Sequence, residues 1–264
     1  MFQVRAVKKY LISIEKEGSA RLASFFAQAT FGKYQSEFTK MGVIGAQLPT
    51  AEYFKLAVAG RKKALSPAEL GCTLSHVNAF KDFLASDEQY ACIFEDDAIC
   101  LNDIDLNDLE KQVAALNLQE CFFLSMGGIQ LRSSKTVRGT FLENKINQAP
   151  VLKLHPVYFG RLFYTYAYII DRKMAELLIR YHEIPKGCDH WSQMRDYDAT
   201  CQFYATFLFD HPELDEMGAG QSYIEQERKL LNKEEKVKKS IFDKWKVSLL
   251  KRIFKLMLQQ YPKK

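Results

Sequence analysis

The chain has 264 residues, 47% hydrophobic and 26% charged, an ordinary globular balance with enough length to bury a real core. No apolar run approaches the roughly 18 to 20 residues that a membrane span needs, and the first residues, MFQVRAVKKYLISIEK, lack a signal peptide's long apolar region and cleavage site, so a cytoplasmic chain is expected. The net charge of +5 is uneven: residues 236–264 carry ten Lys/Arg against Asp243 alone, a local +9 that leaves the other 235 residues at −4.

Residues 10–14 (YLISI) read as a buried strand and residues 20–30 as the helix that follows it. Residues 32–60 have weak periodicity and scattered Gly and Pro, which predicts a loop-rich stretch with one short helix over 51–59. The clearest helix starts at Ser66, where Ser66-Pro67-Ala68-Glu69 combines a capping box with proline at the first helical position. Leu70, Thr73, Val77, Phe80 and Leu84 then recur at alternating spacings of three and four, one face of that helix. Gly71 interrupts it at a cost of ~1 kcal/mol relative to Ala, which points to close packing against another backbone or a ligand.

Next comes YACIFEDD, residues 90–97, an apolar β-prone run that stops at three consecutive carboxylates. Strand ends in α/β sheets are where ligand crevices form, and adjacent acids repel unless protons, Arg/Lys or a hard divalent ion offset them. Glu95, Asp96 and Asp97 therefore point to a metal-dependent enzyme, with a solvated acidic turn as the alternative. Residues 102–119 read as a helix and 121–125 as a strand ending in Gly127-Gly128, a pair that permits close backbone approach. Residues 132–150 are polar and aperiodic, a mobile loop by pattern. Residues 163–170 (FYTYAYII) read as a strand, after which Asp171 can cap a helix through Tyr181; residues 201–209 read as a further strand.

The alternation of strand and helix predicts an α/β sandwich with a mostly parallel sheet over residues 1–228, followed by a tail over 229–264. The six cysteines, at 72, 92, 100, 121, 188 and 201, form no CxxC pair or metal-finger spacing and read as reduced, mostly buried thiols. In the tail, Ile241, Trp245, Leu249, Ile253, Leu256 and Met257 follow helical spacing with lysines largely elsewhere around the helix. This basic amphipathic helix fits a peripheral anchor on an anionic bilayer, or a helix docked on the body with solvated lysines.

Residues 65–76 (LSPAELGCTLSH), then the acids at 95–97 about twenty residues later, then residues 164–170 (YTYAYII), resemble glycosyltransferase family 25 in order and spacing. The likeness extends from about residue 10 to residue 228. The resemblance implies a GT-A, Rossmann-type fold, a UDP-sugar donor (UDP-galactose or another UDP-hexose such as glucose or N-acetylhexosamine), a divalent Mn²⁺ or Mg²⁺, and inversion at the anomeric carbon. The implied acceptor is a lipooligosaccharide or LPS core sugar at the cytoplasmic face of the inner membrane. It assigns Glu95-Asp96-Asp97 to the acidic motif, with Asp97 the first metal ligand and Glu95 the next, near the ribose. A cation bridging diphosphate oxygens would stabilise that leaving group.

The same resemblance places Arg21 at a strand-to-helix turn where a guanidinium can contact the uracil or diphosphate, with an exposed helix residue as the alternative reading, and Ala20 stands where the family usually has another arginine. Ser75 and His76 match the family's Ser-His pair; His76 is either a nucleotide contact or a structural histidine. Glu69 is fully explained by the capping box. Asp189, in IPKGCDHW, resembles the family's loop acid and is the candidate catalytic base, positioned to take the acceptor hydroxyl proton; the competing reading is a cap for a helix beginning at His190. His211 reads as structural, with a metal contact as the alternative. A metal-dependent phosphoryl-transfer or hydrolytic enzyme would need a second acid cluster, for which the sequence offers only Asp103 and Asp105. A non-catalytic membrane or nucleic-acid binding module would make the tail the function, but the acidic body and lack of a recognisable motif count against nucleic acid.

Overall fold

The central strands carry apolar side chains on both faces, so both faces must be covered. The computed structural model, which describes residues 7–131, 134–212 and 257–262, covers them with helices in an α/β sandwich. The chain begins with β1 (Lys8–Ile12), α1 (Ala20–Phe26), α2 (Ala29–Gly32), β2 (Phe38–Met41) and α3 (Thr50–Tyr53), which runs into a π-helical turn, Phe54–Val58. There follow α4 (Pro67–Leu84), β3 (Tyr90–Glu95), the short β4 (Ile99–Cys100), α5 (Leu106–Ala115) and β5 (Phe122–Ser125). A hairpin of β6 (Arg138–Ile146) and β7 (Ala149–Leu154) leads to β8 (Ala167–Asp171), α6 (Arg172–Tyr181), α7 (Met194–Tyr197), β9 (Gln202–Ala205) and β10 (Phe209–Asp210). A last strand, β11 (Gln259–Gln260), lies near the carboxyl end.

Period-two alternation sorts the strand residues into two cores. Tyr10, Ile93, Phe123, Tyr168 and Ile170 face α4 and α6, packing with Val77, Phe80, Phe83, Met174, Leu177 and Leu178. Leu11, Cys92, Phe94, Leu124 and Ile169 face the opposite layer, with Leu22 and Phe25 from α1 and Leu109 and Val113 from α5. Asp171 caps α6 as expected, accepting from Met174 N, and also accepts from the backbone N–H groups of Cys121 and Phe122, tying the end of β8 to the start of β5.

Among the described residues the main sheet has nine strands in the order β11-β6-β7-β9-β5-β8-β3-β1-β2. It is mixed: β1, β2, β3, β5, β6 and β9 run one way, and β7, β8 and β11 the other. The parallel expectation therefore holds for the β2-β1-β3 end, whereas β8 enters antiparallel between β3 and β5. The chain leaves β1 toward β2 on one side and returns through α4 to β3 on the other. This reversal creates a topological switch point at the carboxyl ends of β1 and β3, where open α/β sheets form their crevice.

Several expectations are corrected. Residues 138–154, partly read as a mobile loop, form the β6–β7 hairpin, turned by Asn147 (φ 46°) and Gln148 (φ 64°), the left-handed pair of a tight two-residue loop. The helix over 20–30 is two short helices separated at Gln28, whose side-chain amide instead donates to Ala98 O and accepts from Cys100 N. The strand expected from residue 163 starts only at Ala167, because Tyr164 has φ 75°. The amphipathic helix expected over 241–257 lies outside the described residues apart from Met257. Residues 257–262 return to the body: β11 pairs with β6, and the buried Tyr261 accepts from Phe207 N and donates to Pro150 O.

Candidate active site

The parallel register sets Ile12 of β1 beside Glu95 of β3, so both strands deliver the chain to the same sheet edge. The crevice there is a cavity of about 400 Å³, lined by Ser13 and Arg21 after β1, by Gly45 after β2, by Cys72 and Ser75 of α4, and by Glu95, Asp96 and Asp97. Five of the six residues expected from sequence to handle nucleotide or metal, Arg21, Ser75, Glu95, Asp96 and Asp97, thus share one cavity; α4 reaches it by an unusually close approach. A Cβ on Gly71 would meet Val43 O at 2.5 Å and Gly45 N at 2.8 Å, so Gly71 serves backbone packing, as its cost in a helix implied. Ser75 fixes the same loop by accepting from Val43 N at 2.8 Å while donating to Gly71 O at 2.8 Å. The capping box forms in full, with Ser66 accepting from Glu69 N and Glu69 accepting from Ser66 N.

The carboxylates have distinct partners. Asp96 accepts from Ser13 Oγ at 2.5 Å and from Arg21 Nε at 2.5 Å. Arg21 Nη2 donates to Asp97 Oδ2 at 2.9 Å, so one guanidinium bridges both acids in the planar geometry that arginine supplies. Ser19 aims it by capping α1, accepting from Leu22 N. His211 Nε2 lies 3.3 Å from Asp97 Oδ2, and its Nδ1 bonds to Pro212 O at 2.7 Å. His211 therefore lies at the acidic motif.

Electrostatics separate the acids further. Burial raises Asp96, only partly opposed by the Ser13 hydrogen bond and Arg21. Burial also works to raise Asp97, but the hydrogen bond and charge of His211, with Arg21, outweigh it and hold the carboxyl below the usual range. Burial would lower His211, yet Asp97 raises it; Arg21 is likewise raised, its burial overcome by Asp96 and Asp97. Asp97 Oδ1 is buried and has no hydrogen-bond partner among the described residues, an uncompensated acceptor of the kind a cation satisfies. Asp97 and His211 thus fit a divalent metal. Glu95 is directed elsewhere: its Oε1 accepts from Thr165 Oγ1 at 2.6 Å and lies 3.4 Å from His76 Nε2.

His76 is 3% exposed and lies behind the cavity wall, its Nδ1 bonded to the Tyr168 hydroxyl at 2.7 Å. Asp189 lies in a turn closed by His190 N donating to Gly187 O. The next helix, α7, starts at Met194 with Gln193 at its N-cap, so Asp189 caps no helix beginning at His190. Its Oδ2 accepts instead from Tyr164 N at 3.5 Å, a backbone held at positive φ beside the site. Sequence reasoning missed Ser13, which follows the strand predicted through it, and Thr165, hidden in an apolar-looking run. It also missed the meeting of Cys72 Sγ and Cys188 Sγ at 3.5 Å, which local spacing does not encode. Of the acids considered for a second metal, Asp105 is the N-cap of α5 and pairs with Lys33, and Asp103 lines a separate cavity.

The family model for glycosyltransferase family 25 (LPS biosynthesis protein) matches residues 6–191, from β1 through the Asp189 turn. No curated protein matches the chain. Among solved structures, the crystal structure of A197 from STIV aligns at 12% identity and TM-score 0.38 over 76% of this chain and 81% of that one, a slight likeness from which nothing follows. With the family model spanning most of its length, the chain belongs to glycosyltransferase family 25, a glycosyltransferase family of LPS biosynthesis.

Proposed function

We propose that the cavity binds a UDP-sugar and that the protein is an inverting galactosyltransferase, moving galactose to a hydroxyl of a lipooligosaccharide or LPS core sugar. The observation that carries this reading is the convergence of Arg21, Asp97 and His211, with a buried unpartnered carboxylate oxygen, at the switch point of the sheet. A nucleotide diphosphate brings negative charge to a place already built around carboxylates, and Arg21 supplies a fixed cation there. Asp97, with His211, is the candidate holder of a divalent Mn²⁺ or Mg²⁺. When bound, such an ion offsets charge on diphosphate oxygens.

Asp96, engaged by Ser13 and Arg21, positions the guanidinium rather than meeting the donor. Ser75 and the Gly45–Gly71 contact shape the opposite wall, and Glu95, steered by Thr165, is left to the ribose side. Asp189 is the proposed base. It takes the proton of the acceptor hydroxyl as that oxygen bonds to the anomeric carbon, while the bond from that carbon to the diphosphate oxygen breaks and UDP departs. General-base assistance of this kind contributes about 10²- to 10⁴-fold. Asp189→Asn is therefore expected to lower kcat by that range while leaving the donor KM nearly unchanged.

Among the described residues no helix is long and apolar enough to cross a membrane. The basic segment 236–255 is proposed to hold the enzyme peripherally on an anionic cytoplasmic membrane surface, where its glycolipid acceptor would lie. The test of the reading is release of UDP from a panel of UDP-hexoses with a lactose- or N-acetylglucosamine-type acceptor, with the anomeric configuration of the product read by NMR. Acceptor-stimulated release from UDP-galactose with inversion supports it; release from UDP-glucose or a UDP-N-acetylhexosamine alone overturns the galactosyl assignment, and a retained configuration overturns the base mechanism.

A further inference from the structure

The turn bearing Asp189 is tied to α4 by more than packing. Thr73 Oγ1 donates to Lys186 O at 2.7 Å, and the Cys188 and Cys72 sulfurs lie 3.5 Å apart. Cys72 and His76 are four residues apart on α4 and so share one face. We propose that Cys72, His76 and Cys188 form a binding site for a thiophilic divalent cation of the zinc class, separate from the cation proposed at Asp97. The inference stands whether or not the sugar-donor reading holds.

The Sγ atoms of Cys72 and Cys188 and a ring nitrogen of His76 all lie within 4.8 Å of one another. Zinc bonds of about 2.3 Å to sulfur and 2.0–2.1 Å to nitrogen hold tetrahedral ligands roughly 3.3–3.8 Å apart, so closure requires shifts on the order of 1 Å. The independent observation is His76 Nε2: it is buried, in a residue 3% exposed, and has no hydrogen-bond partner among the described residues. Glu95 Oε1 is 3.4 Å away but is not aligned to accept from it. With Nδ1–H donating to the Tyr168 hydroxyl, the ring presents a lone pair at Nε2, the arrangement in which a second hydrogen bond orients a ligating imidazole.

Binding replaces the two thiol protons, which pass to solvent, by two metal–thiolate bonds and one metal–imidazole bond. Three protein ligands leave a fourth position for water from the cavity that Cys72 lines. The ion would staple Cys188, and with it the neighbouring Asp189, to α4.

The test uses the full chain kept reduced by a phosphine and titrated with Zn²⁺, with Co²⁺ as a spectroscopic stand-in. The expected result is one thiolate-bound ion per chain, roughly two protons released on its binding, and a thiolate-to-cobalt charge-transfer band that saturates at one equivalent of that site and persists in Asp97→Ala. Tyr168→Phe is expected to weaken binding about 10- to 100-fold, and Cys188→Ala to weaken it further. Asp97→Ala and Cys100→Ala retain wild-type affinity, which separates this site from the one at Asp97. In the unmutated chain, Zn²⁺ protects Cys72 and Cys188 but not Cys100 from alkylation, a readout independent of whether the variants fold. Equal labelling of Cys72 and Cys188 with and without Zn²⁺, or wild-type affinity in the Cys72→Ala/Cys188→Ala double variant, overturns the proposal.

Discussion

Arg21 is one cation serving two acids, and its chemistry depends on the fork. A guanidinium reaches Asp96 through Nε and Asp97 through Nη2, whereas an ammonium is a single point charge and cannot keep both geometries. Loss of one charge-assisted hydrogen bond, worth about 1.5–3 kcal/mol, predicts that Arg21→Lys lowers kcat/KM for the donor by roughly 10- to 100-fold. Steady-state kinetics with the donor varied checks this; unchanged kcat/KM would show that the bridge has no role in turnover. The acids themselves were legible in the sequence, because three carboxylates ending an apolar strand require a compensating partner. Their division of labour was not, since Ser13 reaches Asp96 and His211 reaches Asp97 only after the strands align.

At the scale of elements, α4 was readable because its signals are local. Ser66, Pro67 and Glu69 fix its start within one turn, and replacing the cap, Ser66→Ala, is expected to cost about 1 kcal/mol in a denaturant melt. Gly71→Ala should cost more, because the added methyl meets backbone atoms of Val43 and Gly45 that cannot move without shifting the cavity wall. A melt in which Gly71→Ala is the milder of the two would contradict the close-packing account. The β6–β7 hairpin was missed for a physical reason as well: β6 exposes side chains on both sides, so no alternation marks it, and its turn residues are Asn147 and Gln148 rather than an Asn-Gly pair. β2, only four residues long and without a fully buried position, gave no pattern to read.

The carboxyl end of α6 carries a pH-dependent element. His182 is buried, accepts from Lys186 N, and has its pKa pushed down to about 3 by burial first and then by Lys186, His76 and His190. It is neutral in the folded chain, whereas the unfolded chain binds a proton near pH 6.5. Its contribution is therefore complete above about pH 6.5 and is lost progressively as pH falls from there toward 3. His182→Gln, which keeps an acceptor but does not titrate, is expected to flatten the stability profile between pH 6.5 and 4.5. Parallel wild-type and variant profiles across that window would remove His182 from the acid response.

At the scale of the molecule, a body of net −4 carries a basic segment whose far end rejoins the sheet. The sequence marked that segment by charge and apolar spacing but gave no sign of its return, because Gln259, Gln260 and Tyr261 have meaning only against β6 and Pro150. Truncation at residue 236 would remove Tyr261 from the core as well as the lysines, confounding anchoring with stability. Replacing Lys244, Lys246, Lys251, Arg252 and Lys255 by Gln separates them. It is expected to weaken sedimentation with phosphatidylglycerol vesicles by about 1 kcal/mol per charge near the surface while sparing turnover on a soluble acceptor. Vesicle binding that survives all five changes would rule out the electrostatic anchor.

Asp97 is proposed to anchor the donor's chemistry at the carboxyl ends of β1 and β3. The most direct measurement is acceptor-stimulated UDP release by wild type and Asp97→Ala, each with Mn²⁺ and with EDTA, alongside a thermal melt to confirm that the variant is folded. Release by wild type that EDTA abolishes is expected, together with a folded variant without measurable release under either condition. Undiminished release by Asp97→Ala would contradict the proposal.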